Sequence, residues 1–175
     1  MRYDRLSHWF INNLNIKNIL GLNLAKTKRL LIIGPAFRRR TDERSLPALE
    51  RYDGLFYRVA RKHLRNVKDV DVLIMKDDLT LVAGSESLPF VKPEGTSWGV
   101  NSIPSEVVEN AKKTNLCFLK EKLRKNRYSE VFISMGKKYA AALPDMSSDS
   151  TKVLFPANVG PGLKAQALKE WFSVE

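Results

Sequence analysis

The chain has few of the residues that form disulfides or zinc sites. Its 175 residues include one cysteine, Cys117, and two histidines, His8 and His63. A single cysteine cannot form an intramolecular disulfide, and these three side chains are too few for the usual zinc ligand set. The composition therefore predicts no metal site and favours a reducing compartment, and we expect the protein to be cytoplasmic.

Long hydrophobic runs are also missing. The continuous apolar stretches, such as residues 30–33, fall far short of the ~20 residues that cross a bilayer. Asparagine residues interrupt the apolar residues near the start of the chain, so the pattern of a secretory signal peptide is not evident. The sequence predicts no membrane span.

The remaining composition is that of a globular protein. Hydrophobic residues make up 43% of the chain and charged residues 28%, which excludes a disordered or collagen-like chain. Folding at this length removes roughly 70% of the surface of the extended chain, enough for one domain with a core. We expect a helical arm over residues 1–25 and a single α/β domain over residues 26–175.

The expected arm carries apolar residues at helical spacing. They follow Asp4, a possible cap, and are Leu6, Trp9, Phe10 and Leu14. This spacing predicts a short amphipathic helix. Such a helix packs on the main domain, lies on a membrane surface, or binds a partner helix, as in a homodimer, and the sequence leaves these alternatives open.

Positive charge is in excess. Thirty lysines and arginines stand against nineteen acidic residues, which gives a net charge of +11. Most of the excess lies in residues 37–65 and 110–138. A surface of this kind is either simply solvated or a footprint for the phosphate backbone of a nucleic acid, and charge alone does not choose between them.

Strand and helix patterns alternate along the rest of the chain. Short apolar runs predict buried strands at residues 29–34, 69–75, 129–135 and 152–155. Helical spacing predicts helices at residues 53–66, from Pro104 onward, and at 137–143 and 163–172. This alternation predicts a three-layer α/β domain whose mostly parallel sheet of about four to five strands is flanked by helices. Residues 79–82 either continue this sheet or line its edge.

The helix that begins at Pro104 has the clearest apolar stripe of the chain. Its members are Val107, Val108, Ala111, Asn115, Phe118, Leu119 and Leu123. We expect the stripe to pack against the sheet and Cys117 to be a small packed residue beside it.

Ligands of parallel sheets usually bind beyond the carboxyl ends of the strands. Residues 34–36, 76–78, 135–138 and 158–162 follow the predicted strands and are therefore the segments of interest. The irregular segment 84–102 is either a binding loop or lid, or an inert surface excursion.

Two of these segments have the chemistry to hold phosphate. Gly136 ends a strand and opens a helix, with Lys137 and Lys138 behind it, and Gly160 and Gly162 precede the last helix. Backbone amides at such turns can face an anion. Neither turn matches a Walker A or G-x-G-x-x-G motif, and both also fit ordinary turns or caps.

The residues of enzymatic catalysis are sparse. A hydrolytic triad would have to recruit His8 or His63, and we expect His63 to be solvated among basic residues. The candidate carboxylates are Asp53, Asp77, Asp78 and Glu94. Asp77 and Asp78 could bind Mg²⁺ or act on a sugar, or could be solvated in a turn; Asp53 could instead cap a helix, with Tyr52 packed beside it.

Short motifs in this order resemble a known family. They are Leu46-Pro47-Ala48, Tyr52-Asp53-Gly54-Leu55-Phe56, the run from Val131 to Gly136 with Lys137-Lys138-Tyr139, and Leu154-Phe155-Pro156 with Gly160-Pro161-Gly162. This succession is similar to the YaaA-like, peroxide-stress-associated group of small α/β proteins, over about residues 28–172. The resemblance implies an α/β fold and a link to nucleic acids or to nucleobase and nucleoside chemistry.

The sequence departs from that group in the expected pocket. Gly34-Pro35-Ala36 stands where relatives tend to have Ser or Cys with Lys, and Met75-Lys76-Asp77-Asp78 replaces a step similar to Ser-Ala-Lys-x-Gly. The resemblance therefore implies the fold more strongly than a catalytic role.

Three functions remain open. The first is binding of DNA, RNA or a nucleotide, with phosphate contacts expected from Gly136, Lys137, Lys138, Gly160, Gly162, Arg38, Arg39 and Arg40. The second is an enzyme acting on a nucleoside or nucleobase, with Asp53, Asp77, Asp78 or Glu94 as acid, base or nucleophile and a pocket shaped by Tyr52 and Tyr139. The third is an interaction module that dimerises through the N-terminal helix. The sequence names no cofactor for any of them.

Overall fold

The computed structural model describes residues 27–92, 103–147 and 151–173. The expected N-terminal helix, with its proposed dimer contact, and Glu94 lie outside these residues. In chain order the described elements are β1 (Lys28–Ile33), β2 (Leu46–Pro47), α1 (Ala48–Arg51), α2 (Leu55–Leu64), β3 (Val70–Met75), β4 (Leu81–Ala83), β5 (Ser87–Leu88), α3 (Ser105–Lys125), β6 (Tyr128–Ser134), α4 (Lys137–Ala140), β7 (Lys152–Leu154) and α5 (Pro161–Ser173).

Five of the strands form one mixed sheet in the order β4-β3-β1-β6-β7. β1, β3, β6 and β7 are parallel to one another, whereas β4 is antiparallel to β3. A parallel return needs a crossover of a dozen or more residues, and residues 76–80 are too few for one. The predicted mostly parallel sheet is confirmed, and the segment around residues 79–82 supplies its antiparallel edge.

The sheet is covered on both faces, which explains why its central strand is continuously apolar. Leu30 and Ile32 of β1 pack in the cluster on the α3 side. Leu31 and Ile33 pack in the cluster that α2 and α5 cover on the other side. Burial of both faces removes the alternation that marks a half-exposed strand.

The long helix α3 presents one face to the sheet. Ala111, Asn115 and Leu119 are its buried residues, as the predicted stripe requires. The expectation for Cys117 is wrong, because its side chain is exposed. Position 117 is two residues from both 115 and 119, about 200° around the helix, and therefore points away from the sheet.

On the opposite face α2 and α5 pack against each other. The His63 ring near the end of α2 stacks on Phe172 near the end of α5, with ring centroids 5.3 Å apart. His63 is half-buried in this contact rather than fully solvated as expected. Among the described helices, none combines the length and hydropathy that a membrane span requires.

The direction of the strand order reverses between β1 and β6. The chain first moves from β1 to β3 on one side, and then places β6 and β7 on the other side. At this switch point the amide of Gly34 donates to the carbonyl of Ser134 at 3.0 Å. A Cβ at position 34 would lie 2.5 Å from the Cβ of Met135, so glycine permits the close approach.

Candidate functional site

The carboxyl ends of the four parallel strands open on one edge of the sheet. We call this the carboxyl edge and define it as residues 34–40, 76–78, 135–139 and 155–164. The segments that the sequence singled out after each strand are therefore brought together. Crevices at a strand-order reversal are the usual ligand sites of open α/β sheets.

The three consecutive arginines after β1 do not share one role. The chain there runs antiparallel to residues 51–53 through a bridge between Arg39 and Tyr52. Extended backbone points successive side chains to opposite sides. The Arg39 side chain is accordingly 7% exposed, whereas those of Arg38 and Arg40 are 72% and 41% exposed.

Arg39 lies at the centre of a polar cluster. Its guanidinium forms an ion pair with Asp77, donates to the carbonyl of Val91 at 3.0 Å, and lies over the Tyr52 ring, 5.2 Å from the centroid. Its Nε is buried and has no hydrogen-bond partner among the described residues.

The charge of Asp77 acts on Tyr52 and Tyr139, and also on the fully buried Tyr57. Burial raises the pKa of Tyr52 to about 12, and the Asp77 carboxylate contributes in the same direction. Burial and then Asp77 also raise the pKa of Tyr139. Both phenols therefore stay protonated at neutral pH and can donate hydrogen bonds. Arg39 contacts both Asp77 and Tyr52, and the charge of Asp77 also acts on Tyr139.

The other two candidate carboxylates have local partners. Asp53 accepts from Arg58 at 2.9 Å and Arg61 at 2.8 Å, and pairs with Arg38 at 3.1 Å. The hydrogen bond from Arg58 is the main reason that the pKa of Asp53 is lowered. Asp53 does not cap α2, whose N-cap is Gly54 with no side-chain hydrogen bond.

Asp78 belongs to the turn between β3 and β4. Its carboxylate accepts from the Thr80 amide at 2.9 Å and from the Lys76 ammonium at 2.9 Å. Asp77 and Asp78 thus differ in their partners, because Asp77 pairs with Arg39 whereas Asp78 pairs with Lys76.

The two glycine turns also lie on the carboxyl edge. A Cβ at Gly160 or Gly162 would meet nothing within 4 Å, and one at Gly136 would meet only the Tyr139 ring at 3.8 Å. Neither crowding nor a left-handed backbone therefore requires glycine at these positions.

The cations beside these turns differ in their partners. Arg38 pairs with Asp53, and Arg40 pairs with Asp42 at 3.1 Å and Glu50 at 3.6 Å. Lys137 and Lys138 are exposed, and within the described part of the chain their ammonium groups make no ion pair. Of the cations expected to contact phosphate, these two lysines are therefore the ones whose charge is not paired with a described carboxylate.

Two polar residues at this edge were not singled out from the sequence. Lys164 in the first turn of α5 is 8% exposed, and its ammonium donates to the carbonyl of Met135 at 3.0 Å. Ser134 at the end of β6 is fully buried, and its hydroxyl has no partner among the described residues. A signal for Lys164 does exist in the sequence, because it lies one turn before Leu168 on the apolar face of the last helix.

Metal ligands do not cluster in the described ranges, where no group of three or more His, Cys, Asp and Glu side chains could hold an ion. A scan against protein-family models, a search of curated proteins and a search of solved structures each found no match to this chain.

Proposed function

We propose that the protein binds a nucleotide or a nucleic acid through phosphate groups at its carboxyl edge. The observation that carries this proposal is the placement of Gly136 with Lys137 and Lys138 next to the start of α5. Lys164 links the two turns, because its backbone amide donates to Gly160 and its ammonium donates to Met135, each at 3.0 Å.

The electrostatics of the edge support phosphate rather than a neutral ligand. Two exposed lysines there have no carboxylate partner in the described part of the chain, and lysine is a common phosphate-binding residue. The glycines leave the backbone uncovered by side chains, so that an anion could approach the amides. The net charge of +11 would raise the local concentration of any polyanion.

The enzyme alternative has less support from the geometry. It requires carboxylates that converge on one substrate, whereas Asp53 and Asp78 are engaged in separate local ion pairs. Asp77 pairs with Arg39, and the charges of Asp77 and Asp78 both act to raise the pKa of Tyr52. The implied relation to the YaaA-like group fits both the binding function and this alternative.

A salt titration tests the proposal. Short labelled single-stranded DNA and RNA are titrated with protein, and fluorescence anisotropy is measured over a range of salt concentrations. We expect affinity that falls steeply with salt. Replacing Lys137 and Lys138 with alanine removes up to two phosphate contacts, so the slope of log affinity against log salt decreases in magnitude by roughly 1–2.

The matched control is the double variant Lys120→Ala with Lys169→Ala, which removes two positive charges elsewhere. Lys120 lies in the second half of α3 and Lys169 in the second half of α5. These lysines are exposed and lie away from the carboxyl edge. An equal loss of affinity in the control would show diffuse surface attraction and contradict the proposal. Absence of binding at low salt, also to a free nucleotide, would reject it.

A further inference from the structure

Within the described residues, Lys164 is a buried charge without a counter-ion. Its residue is 8% exposed, and no carboxylate lies within ion-pair distance among the described residues. The ammonium has three N–H donors, and one of them is used by the carbonyl of Met135. Buried ions in proteins are normally paired, because an unpaired ion loses its hydration without compensation.

Ser134, the residue before Met135, is a second buried polar group without a hydrogen-bond partner among the described residues. β-strand side chains alternate between faces, so Ser134 lies on the same face of the sheet as Phe132. Phe132 packs in the cluster that contains Leu168 of α5, and Lys164 is one turn before Leu168. The unpartnered Ser134 hydroxyl and the Lys164 ammonium thus both lie where α5 covers the end of β6.

This position is buried but close to solvent. The carbonyl that accepts from Lys164 belongs to Met135, and the next residue, Gly136, is exposed. A ligand at the Gly136 turn would therefore lie beside the residue whose carbonyl accepts from the ammonium. No side chain from position 136 blocks the approach.

We infer that Lys164 and Ser134 bind a terminal phosphate, the phosphate monoester of a small nucleotide or of a nucleic acid end. This inference rests on the proposed function and specifies its ligand. A phosphate monoester supplies the missing negative charge together with acceptors for the free N–H donors of Lys164 and the hydroxyl of Ser134. A phosphodiester inside a polymer is flanked by sugars on both sides and cannot enter a site this buried.

Calorimetric titration with adenosine 5′-monophosphate, inorganic phosphate and adenosine tests the inference. The wild type binds the first two, and adenosine binds more weakly than its monophosphate. Lys164→Met keeps an unbranched side chain of similar length and removes the charge, so affinity for both phosphates decreases roughly ten- to hundredfold, as for a lost charge-assisted hydrogen bond. The control Lys169→Met, at an exposed position of the same helix, binds like the wild type.

Thermal unfolding without ligand distinguishes a ligand-binding role of Lys164 from a purely structural one. The two roles predict opposite changes in the unfolding temperature of Lys164→Met. A ligand-binding lysine is an uncompensated charge in the free protein, so Lys164→Met unfolds at the same or a higher temperature. A lysine that serves only to hold the Met135 carbonyl would leave the variant less stable, and that result overturns the inference. Ser134→Ala, which folds without a buried unpartnered hydroxyl, provides a second variant with weaker phosphate binding.

The failures of the two proposals are distinguishable. If Lys164→Met binds the monophosphate as well as the wild type does, or if the wild type binds oligonucleotides but neither phosphate, the inference is wrong and the proposed function stands. If neither phosphates nor oligonucleotides bind, both are wrong.

Discussion

Arg51 shows how a single residue can hold an irregular segment in place. Its side chain is fully buried, and its guanidinium donates to the carbonyls of Arg40, Asp42 and Arg44, at 2.7, 3.0 and 2.5 Å, and of Leu88 at 3.3 Å. Carbonyl oxygens, rather than a carboxylate, therefore satisfy this buried cation. These hydrogen bonds fix residues 40–44, which directly follow Arg38 and Arg39 at the carboxyl edge.

Replacing this guanidinium should be costly. Arg51→Met removes the charged donor from several part-buried carbonyls, and we expect the free energy of unfolding to decrease by about 3–5 kcal/mol, as for the loss of several charge-assisted hydrogen bonds. Urea unfolding at neutral pH measures this. Arg65→Met, at an exposed position, should change stability by less than about 0.5 kcal/mol. Equal stability of the two variants would show that the Arg51 hydrogen bonds contribute nothing net.

Among the elements, α3 is fixed to its neighbours by one amide in its apolar stripe. Asn115 is fully buried; its Oδ1 accepts from the Leu81 amide at 2.9 Å, and its Nδ2 donates to the carbonyls of Leu79 at 2.8 Å and Ala142 at 2.9 Å. Leu79 has a φ of 66°, a left-handed conformation that a leucine rarely adopts. The helix thereby holds the turn that contains Asp77 and Asp78.

Loss of this amide should loosen the edge of the sheet. We expect Asn115→Ala to lower the free energy of unfolding by roughly 3 kcal/mol, because three buried backbone groups lose their partner. Hydrogen exchange should accelerate at the amide of Leu81. Asn110→Ala, on the exposed side of the same helix, is the control and should leave both quantities nearly unchanged. Unchanged exchange at Leu81 in the Asn115 variant would contradict this role.

Across the whole molecule, Asp71 joins several elements through one carboxylate. It accepts from Lys28 of β1 at 3.2 Å and from the Tyr128 hydroxyl of β6 at 2.6 Å, and Lys122 of α3 lies 3.9 Å away. Burial acts to raise the pKa of Asp71, but the hydrogen bonds from Tyr128 and Lys28 outweigh it and hold the pKa below its ordinary value.

The lowered pKa gives global stability a defined pH dependence. The ionised Asp71 contributes fully above its unfolded-state pKa of about 3.9, and the contribution is lost as the pH falls through the lower folded-state pKa. We expect Asp71→Asn to cost about 1–2 kcal/mol at pH 7, and the difference from the wild type to shrink in acid. Urea unfolding from neutral pH down to about pH 3 measures both.

The exposed change Glu109→Gln serves as the control, with a difference close to zero throughout. A difference for Asp71→Asn that stays constant with pH would show that the carboxylate's charge is not the cause.

The sequence by itself determined the main strands and helices of the described domain and their order, although not the short elements β2, α1 and β5. Continuous apolar runs, such as that of β1, predict strands buried on both faces, and the stripe of α3 predicts a helix with one covered face. Both patterns depend only on residues close together in the chain. They can therefore be recognised without knowing which elements pack against them. The parallel topology followed because long helical connections between strands permit few other arrangements.

Only the tertiary structure decided what each polar side chain does. Arg38, Arg39 and Arg40 are alike in sequence, but extended backbone against residues 51–53 buries the middle one beside Asp77. The exposure of Cys117 and the burial of Lys164 are likewise fixed by neighbours distant in the chain. Solvation and pairing depend on contacts between elements, which a local pattern does not contain.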